Sequence, residues 1–280
     1  MKSKFWALVI GLVAVTVLFS GCTTNNPSNN KDILVVYSCG GPTEAVSEVN
    51  SEFEKEYGVE IRFTGAAAGT LRKSLEAGAY ADVFLPRSVM HSEVLEKAGL
   101  MNPDYKVYMF TDWVIVTPKG NPKEISTMED LLRNDVKVYT NTKSTIPAKN
   151  AMAPKAELID KIYEKTSKDH DCYRKMMMDV VNSNTDAALV ERRLTTLNGV
   201  AGNVEVIDLP RETMAPQIGI FSVGVMSYSK QKELAYKYQE FLLSEKAQNI
   251  LQKHGFITLN SKEGQYIFEN YYPQYLSLNN

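Results

Sequence analysis

The chain has 280 residues, 44% hydrophobic and 23% charged, which is the make-up of a globular protein with length for one large or two medium domains. Its formal net charge of -2 gives no basic footprint, so nucleic acid is excluded as an expected partner. Three cysteines and three histidines stand in no CxxC, HExxH, P-loop or GxSxG spacing, so no metal or hydrolase motif is legible.

Lys2 and Lys4 precede an apolar stretch over residues 5–19, and the stretch ends on Leu18-Phe19-Ser20-Gly21-Cys22. A basic start, an apolar middle and small residues before a cut site make a secretory signal. The aliphatic-small-Cys ending resembles the lipobox of prokaryotic lipoproteins, in which the chain is cut before the cysteine and lipid is attached there. Residues 1–21 are then the signal peptide and Cys22 the lipidation site. The other reading is a transmembrane anchor, for which the apolar run is shorter than the ~20 residues that hydrocarbon demands. Residues 22–31 suit a tether, because 23–30 are polar, uncharged and too poor in apolar groups to fold. Loss of the two lysines with the leader takes the charge from -2 to -4, so an anionic ligand would have to be held by local dipoles. The expected location is extracytoplasmic, on the outer face of the cell membrane.

From Lys31 onward, short apolar runs alternate with amphipathic segments, the pattern of an α/β protein with largely parallel sheets. Residues 33–37 read as a strand buried on both faces. Gly40-Gly41-Pro42 then turns into a helix with Val46, Val49, Phe53 and Tyr57 on one face, stopped by Gly58. Residues 59–63 are the next strand, a helix with Leu71 and Leu75 follows, and 82–85 are a third strand before a helix at 93–98. The apolar run 107–116 is long for one strand and is expected to cross between two lobes. Beyond it come a helix opened by a capping box from Ser126 to Glu129, a strand at 136–140, a helix at 154–166, and strands at 187–190 and 204–207. A second long run at 218–225 is the expected return crossing, and 231–254 read as one helix ended by Gly255. The expected division is lobe I over residues 32–112 and 220–280 and lobe II over 113–219, with a ligand cleft between them.

The loops Ser38-Cys39-Gly40-Gly41-Pro42-Thr43 and Ala66-Ala67-Ala68-Gly69-Thr70 each follow a strand, carry minimal side chains and open a helix. The first turn of a helix has unpaired N–H groups and a partial positive charge, so an oxyanion can sit there without lysine or arginine. One such loop alone is an ordinary strand-to-helix turn. Two at the same sheet edge point to a ligand site.

Val36-Tyr37-Ser38 with Thr43-Glu44-Ala45, the segment Glu76-Ala77-Gly78-Ala79-Tyr80-Ala81-Asp82-Val83-Phe84, and Val114-Ile115-Val116-Thr117-Pro118 with the turn Ile146-Pro147-Ala148 resemble the molybdate/tungstate-binding proteins of ABC importers. The resemblance spans about residues 31–257. It implies the type II periplasmic binding protein fold, an α/β structure of two lobes with mainly parallel sheets joined by two crossing strands. It further implies no enzymatic step, no cofactor, and a monomer that closes on molybdate, tungstate or a related oxyanion for a membrane permease. The family's first-loop serine falls on Gly41, beside Cys39 and Gly40, and a second-loop serine falls on Ala68, beside Ala67. Both hydroxyls are absent here, which leaves backbone N–H donors. In lobe II the family's Pro-Ala turn falls on Pro147 and Ala148, a further N–H donor on Tyr173, and a strand end that carries tyrosine in bacterial members on Glu191. Archaeal members use a glutamate there, with an aspartate in the Pro-containing turn, to make the metal six-coordinate. Ile146 stands at that aspartate's position, so Glu191 would ligate metal only in a site that is half present.

Other readings stay open on the residues alone. Glu191 can pair with Arg192 or Arg193 at the lobe surface instead of facing ligand. Arg87 can contact an anion or be solvated. Cys39 and Cys172 can form a disulfide or remain separate thiols. With His170 and Met176-Met177-Met178 they can also form a soft-metal site, so a binding protein for a soft metal ion or another small solute is the alternative function. An enzyme on the same lobes lacks a nucleophile with a neighbouring base, since His91, His170 and His254 stand in no triad setting.

Overall fold

The computed structural model describes residues 32–144, 146–215 and 219–279. The expected signal peptide, Cys22 and the tether lie outside the described residues. Lobe I begins with β1 (Ile33–Cys39), α1 (Thr43–Tyr57), β2 (Glu60–Ala66), α2 (Ala68–Glu76), β3 (Val83–Leu85), α3 (Met90–Lys97) and β4 (Lys106–Phe110). The chain passes into lobe II as β5 (Trp113–Pro118), β6 (Val138–Thr140), α4 (Ala148–Ala151), α5 (Ala156–Lys165), β7 (Lys168–Asp169), α6 (Tyr173–Val181), β8 (Ala187–Glu191) and β9 (Val204–Asp208). It returns to lobe I as β10 (Ile220–Val225), α7 (Lys232–Leu243), α8 (Glu245–Lys253), β11 (Ile257–Thr258) and α9 (Lys262–Tyr271). Among the described residues, no helix is long and apolar enough to cross a membrane.

The sheet of lobe I has strand order β11-β4-β10-β3-β1-β2, and that of lobe II has order β7-β6-β8-β5-β9. The inner strands of each sheet, such as β3, β5, β8 and β10, are buried on both faces, which is why they read as continuous apolar runs. On β1, Leu34 and Val36 face one core cluster while Val35 and Tyr37 pack on the other. On β5, Val114 and Val116 face one cluster and Trp113 and Ile115 the opposite one. The expectation of mainly parallel sheets is corrected: both are mixed. β1 runs parallel to β2 and β3, but β10 is antiparallel to β3 and β4; in lobe II, β6 is parallel to β7 and β8, while β5 is antiparallel to β8 and β9. β5 and β10, each the first strand after a connection from the other lobe, run antiparallel to both of their neighbours.

The long run 107–116 is two strands, not one, because the chain breaks at Thr111-Asp112 between β4 and β5. The expected return crossing at 218–225 is corrected for its described part: residues 220–225 are β10, which lies in the lobe I sheet rather than between lobes. The two connections are tied together: Thr111 N–H donates to Gly219 O at 2.8 Å, and Arg211 Nη1 donates to Thr111 O at 2.8 Å. A Cβ on Gly219 would lie 2.8 Å from Thr111 O, so this closeness demands glycine. Arg192 grips Asp112 with two bonds of 2.8 and 2.6 Å and Asp208 with a third of 2.7 Å, pinning the ends of β5 and β9 beside the break.

Two local expectations change. The helix expected at 231–254 is α7 and α8, because Ser244 leaves helical geometry (ψ 153°) and its hydroxyl caps α8 through Ala247 N–H. In place of a Ser126–Glu129 box, the Asp130 carboxylate accepts from the N–H groups of both Ser126 and Thr127, at 2.9 Å each. These bonds hold the Asp130 carboxyl down at about 2.

Candidate functional site

A cleft of about 530 Å³ opens between the lobes at the carboxyl ends of β1, β2, β3 and β8, the edge where ligands collect in α/β folds. Cys39, Gly40, Gly41, Ala67 and Ala68, all expected at the site, line its lobe I wall, and Tyr173 and Glu191 line its lobe II wall. Pro147 and Ala148 are not among the lining residues, although their neighbours Ile146 and Asn150 are. The amide of Lys149 donates to Tyr163 Oη at 3.1 Å, and the same hydroxyl faces the Ala148 amide. A tyrosine of α5 therefore occupies the turn whose N–H was expected to face ligand.

The first loop also spends its amides locally. Gly40 N–H donates to Ala66 O at 2.8 Å, and Gly41 N–H is directed at the Cys39 sulfur. Burial pushes the Cys39 thiol up to about 12, with Arg87 opposing, so it is a neutral thiol at ordinary pH. Cys39 and Cys172 are both free. Cys172 does not line the cleft, His170 Nε2 lies 3.0 Å from Asp179, and Met176 and Met177 are buried in the lobe II core. The soft-metal constellation is thus not assembled, and no group of three or more His, Cys, Asp or Glu side chains among the described residues is placed to hold a metal ion.

What the sequence left open for Arg87, and did not place for Arg193, is the charge in the cleft. Arg87 and Arg193 both line it. Glu191, 5% exposed, sits between them: its Oε1 is 3.2 Å from Arg87 Nη1 and its Oε2 is 2.9 Å from Arg193 Nε. The expected pairing of Glu191 with an arginine is therefore present, but inside the cleft instead of on the surface, and with Arg87 of the other lobe as well as Arg193. Burial pushes the Glu191 carboxyl up, yet Arg87 and Arg193 together outweigh it and hold it below the ordinary range. Arg193 also reaches the first loop, where a Cβ on Gly41 would lie 3.7 Å from its Nε.

Uncommitted polar atoms surround this trio. Trp113 Nε1, Ser88 Oγ and His91 Nδ1 are buried on the cleft wall without a hydrogen-bond partner. Ser88 adopts φ 77°, a conformation costly for a residue with a Cβ and common at ligand sites. His91 is kept neutral by burial, reinforced by the charge of Arg72. The N-termini of α2 and α6, at Ala67 and Cys172, have no side-chain cap. Trp113 packs edge-on against Tyr173, ring centroids 6.1 Å apart, and makes an apolar wall. An arginine pair, an indole N–H, a hydroxyl and uncapped helix amides form a surface rich in donors, the chemistry that receives an anion.

The profile of the family described as bacterial extracellular solute-binding protein matches residues 34–257. The chain belongs to that family. Its relatives include a candidate ABC transporter substrate-binding lipoprotein, YvgL of Bacillus subtilis (strain 168), 23% identical over 90% of this chain and 98% of YvgL. The molybdate-binding protein ModA of Mycobacterium tuberculosis (strain ATCC 25618 / H37Rv) is 24% identical over 89% of this chain and 94% of its own length. Among solved structures, the substrate binding domain of a candidate molybdenum ABC transporter from Clostridium difficile superposes with a TM-score of 0.68 at 24% identity, covering 81% of this chain and 98% of that one. The periplasmic molybdate-binding protein of Azotobacter vinelandii gives 0.64 at 15% identity, covering 80% and 98%. These structures share the periplasmic binding protein fold expected from the sequence. This solute-binding protein is an extracytoplasmic component of an ABC importer; it binds a small ligand, works with a membrane permease, and is not an enzyme.

Proposed function

We propose that this protein captures molybdate, tungstate or a related oxyanion in the cleft and delivers it to the permease from a lipid anchor at Cys22. The observation that carries the reading is the convergence, on one cleft, of Arg87, Arg193, the uncapped start of α2 and the unpartnered Trp113 and Ser88 donors. Molybdate is favoured among oxyanions by the relatives whose names carry it. The proposed binding residues are Cys39, Gly40, Gly41, Ala67, Ala68 and Tyr173, joined by Arg87 and Arg193, with the Glu191 carboxylate lining the same cleft.

Each lobe supplies part of the donor set, so a ligand that engages both favours the closed form. The break at Thr111-Asp112, with Gly219 and Arg211 bonded to Thr111, is the hinge. About 5.5 kcal/mol of differential affinity moves such an equilibrium from mostly open to mostly closed. Three or four hydrogen bonds to charged groups, at ~1.5–3 kcal/mol each, supply that amount. The lobes are read as residues 32–112 with 220–280 and residues 113–219, and the protein as a monomer.

Calorimetry of the full chain in detergent against molybdate, tungstate, sulfate and phosphate tests the ligand. Binding of molybdate or tungstate ahead of phosphate supports the proposal, and absence of binding to all four refutes it. Cys22→Ala is expected to leave the protein without lipid and released from the membrane fraction, as read by fractionation and intact mass. A variant that still carries lipid would show that the leader is something else.

A further inference from the structure

Glu191 stands where an anion would be expected. Its carboxylate lies between two guanidiniums in a cleft otherwise lined by donors, and both partners are shielded from water: Glu191 is 5% and Arg87 7% exposed. The two halves of the arrangement differ. The Arg193 contact, within lobe II, is a directed hydrogen bond of 2.9 Å. The Arg87 contact, between lobes, is at ion-pair distance, but Oε1 accepts no hydrogen bond. Arg87 is steadied from its own side by the Phe221 ring, 5.4 Å from the guanidinium carbon to the ring centroid. The contact across the cleft is therefore the half that a better acceptor can replace.

Charge sharpens the point. Two guanidiniums and one carboxylate leave a local +1, so a dianion entering beside an ionised Glu191 meets a like charge at short range in a medium of low dielectric. An anion that takes Arg87 must supply what Glu191 supplied and overcome its repulsion.

Resting on the reading of the cleft as an oxyanion site, we propose that Glu191 is a built-in competitor that determines specificity: it engages Arg87 across the cleft, and a solute binds only by displacing it. Monoanions, which bring no more charge than the carboxylate they replace, are rejected. Dianions with several acceptor oxygens engage Arg87 and the donors of Trp113 and Ser88 together, and they succeed. The residue thus acts against the ligand, the opposite sign to a carboxylate that coordinates the metal of the oxyanion.

The test is the pair of variants Glu191→Gln and Arg87→Gln, titrated with molybdate, tungstate, sulfate, nitrate and formate by calorimetry on the full chain. Removal of the opposing charge is expected to tighten dianion binding about tenfold in E191Q, equivalent to one pKa unit of interaction, and to admit nitrate or formate. R87Q is expected to weaken dianion binding at least as much. Because the two substitutions break the same contact, a purely structural role would move both in one direction, so opposite signs are diagnostic. Weaker or unchanged dianion binding in E191Q overturns the proposal. If none of the five anions binds any form, the oxyanion reading fails by itself, and hydrogen exchange without ligand decides the competitor. Faster exchange over residues 39–41 and 67–69 in both variants at matched global stability upholds the cross-cleft contact, and unchanged exchange overturns it.

Discussion

Ala68→Asp is expected to leave the protein folded and to weaken oxyanion binding about a thousandfold, the effect of one like charge held at ~4 Å in a partly shielded site. Ala68 is the first residue of α2, is half-buried, lines the cleft, and follows an N-cap residue with no side-chain cap. A carboxylate in the first turn of a helix is favourable to the helix by about 0.3–1 kcal/mol, so stability is kept or slightly raised. The same carboxylate takes the α2 amides and repels any anion that needs them. Thermal unfolding with and without molybdate checks both halves. In the parent protein, ligand at a hundred times its Kd adds about 2.7 kcal/mol, and in the variant that shift vanishes. A variant with the parent's affinity would move the ligand away from this wall.

Asp112→Ala is expected to lower the melting temperature by about 6–12 °C, because removal of one member of a shielded ion pair costs about 3 kcal/mol and a domain of this size loses ~2–4 °C per kcal/mol. Asp112 is 7% exposed and takes two bonds from Arg192, whose guanidinium is held strongly protonated against burial by Asp112 and Asp208. In the variant, Arg192 keeps only the exposed Asp208 and the break between β4 and β5 loses its brace. Calorimetric unfolding reads the first effect. The second should appear as faster amide exchange at residues 111–113, with little change in the lobe cores. Parent-like melting would mean that Arg211 and its bond to Thr111 O suffice to hold the hinge.

The cleft walls were legible in part because small residues after a strand constrain where the backbone can go. Gly40, Gly41, Ala67 and Ala68 lie on the cleft for that reason, and each turn is a feature of a few consecutive residues. Where the donors point was not legible. The Gly40 amide is satisfied by Ala66 O, the Gly41 amide is turned toward the Cys39 sulfur, and the Pro147-Ala148 turn is met by the Tyr163 hydroxyl, partners that depend on how neighbouring elements pack. Trp113, Ser88 and His91 carried no signal, since an aromatic at a strand start and single polar residues after a strand suit core or surface equally well. The mixed sheets were misread because an apolar run declares burial and not strand direction.

The chain's own order of residues settled the alternation of strands and helices and the small-residue loops, set by periodicity and turn chemistry within stretches of ten or fifteen residues. The three-dimensional arrangement alone decided that Arg87, Glu191 and Arg193 share one buried site. Arg87 and Glu191 are far apart in the chain and in different lobes, and whether their charges meet depends on the crossings at Thr111-Asp112 and Gly219, which fold one sheet edge against the other. Electrostatic interaction depends on distance in space and on exclusion of water, and neither is written in local sequence.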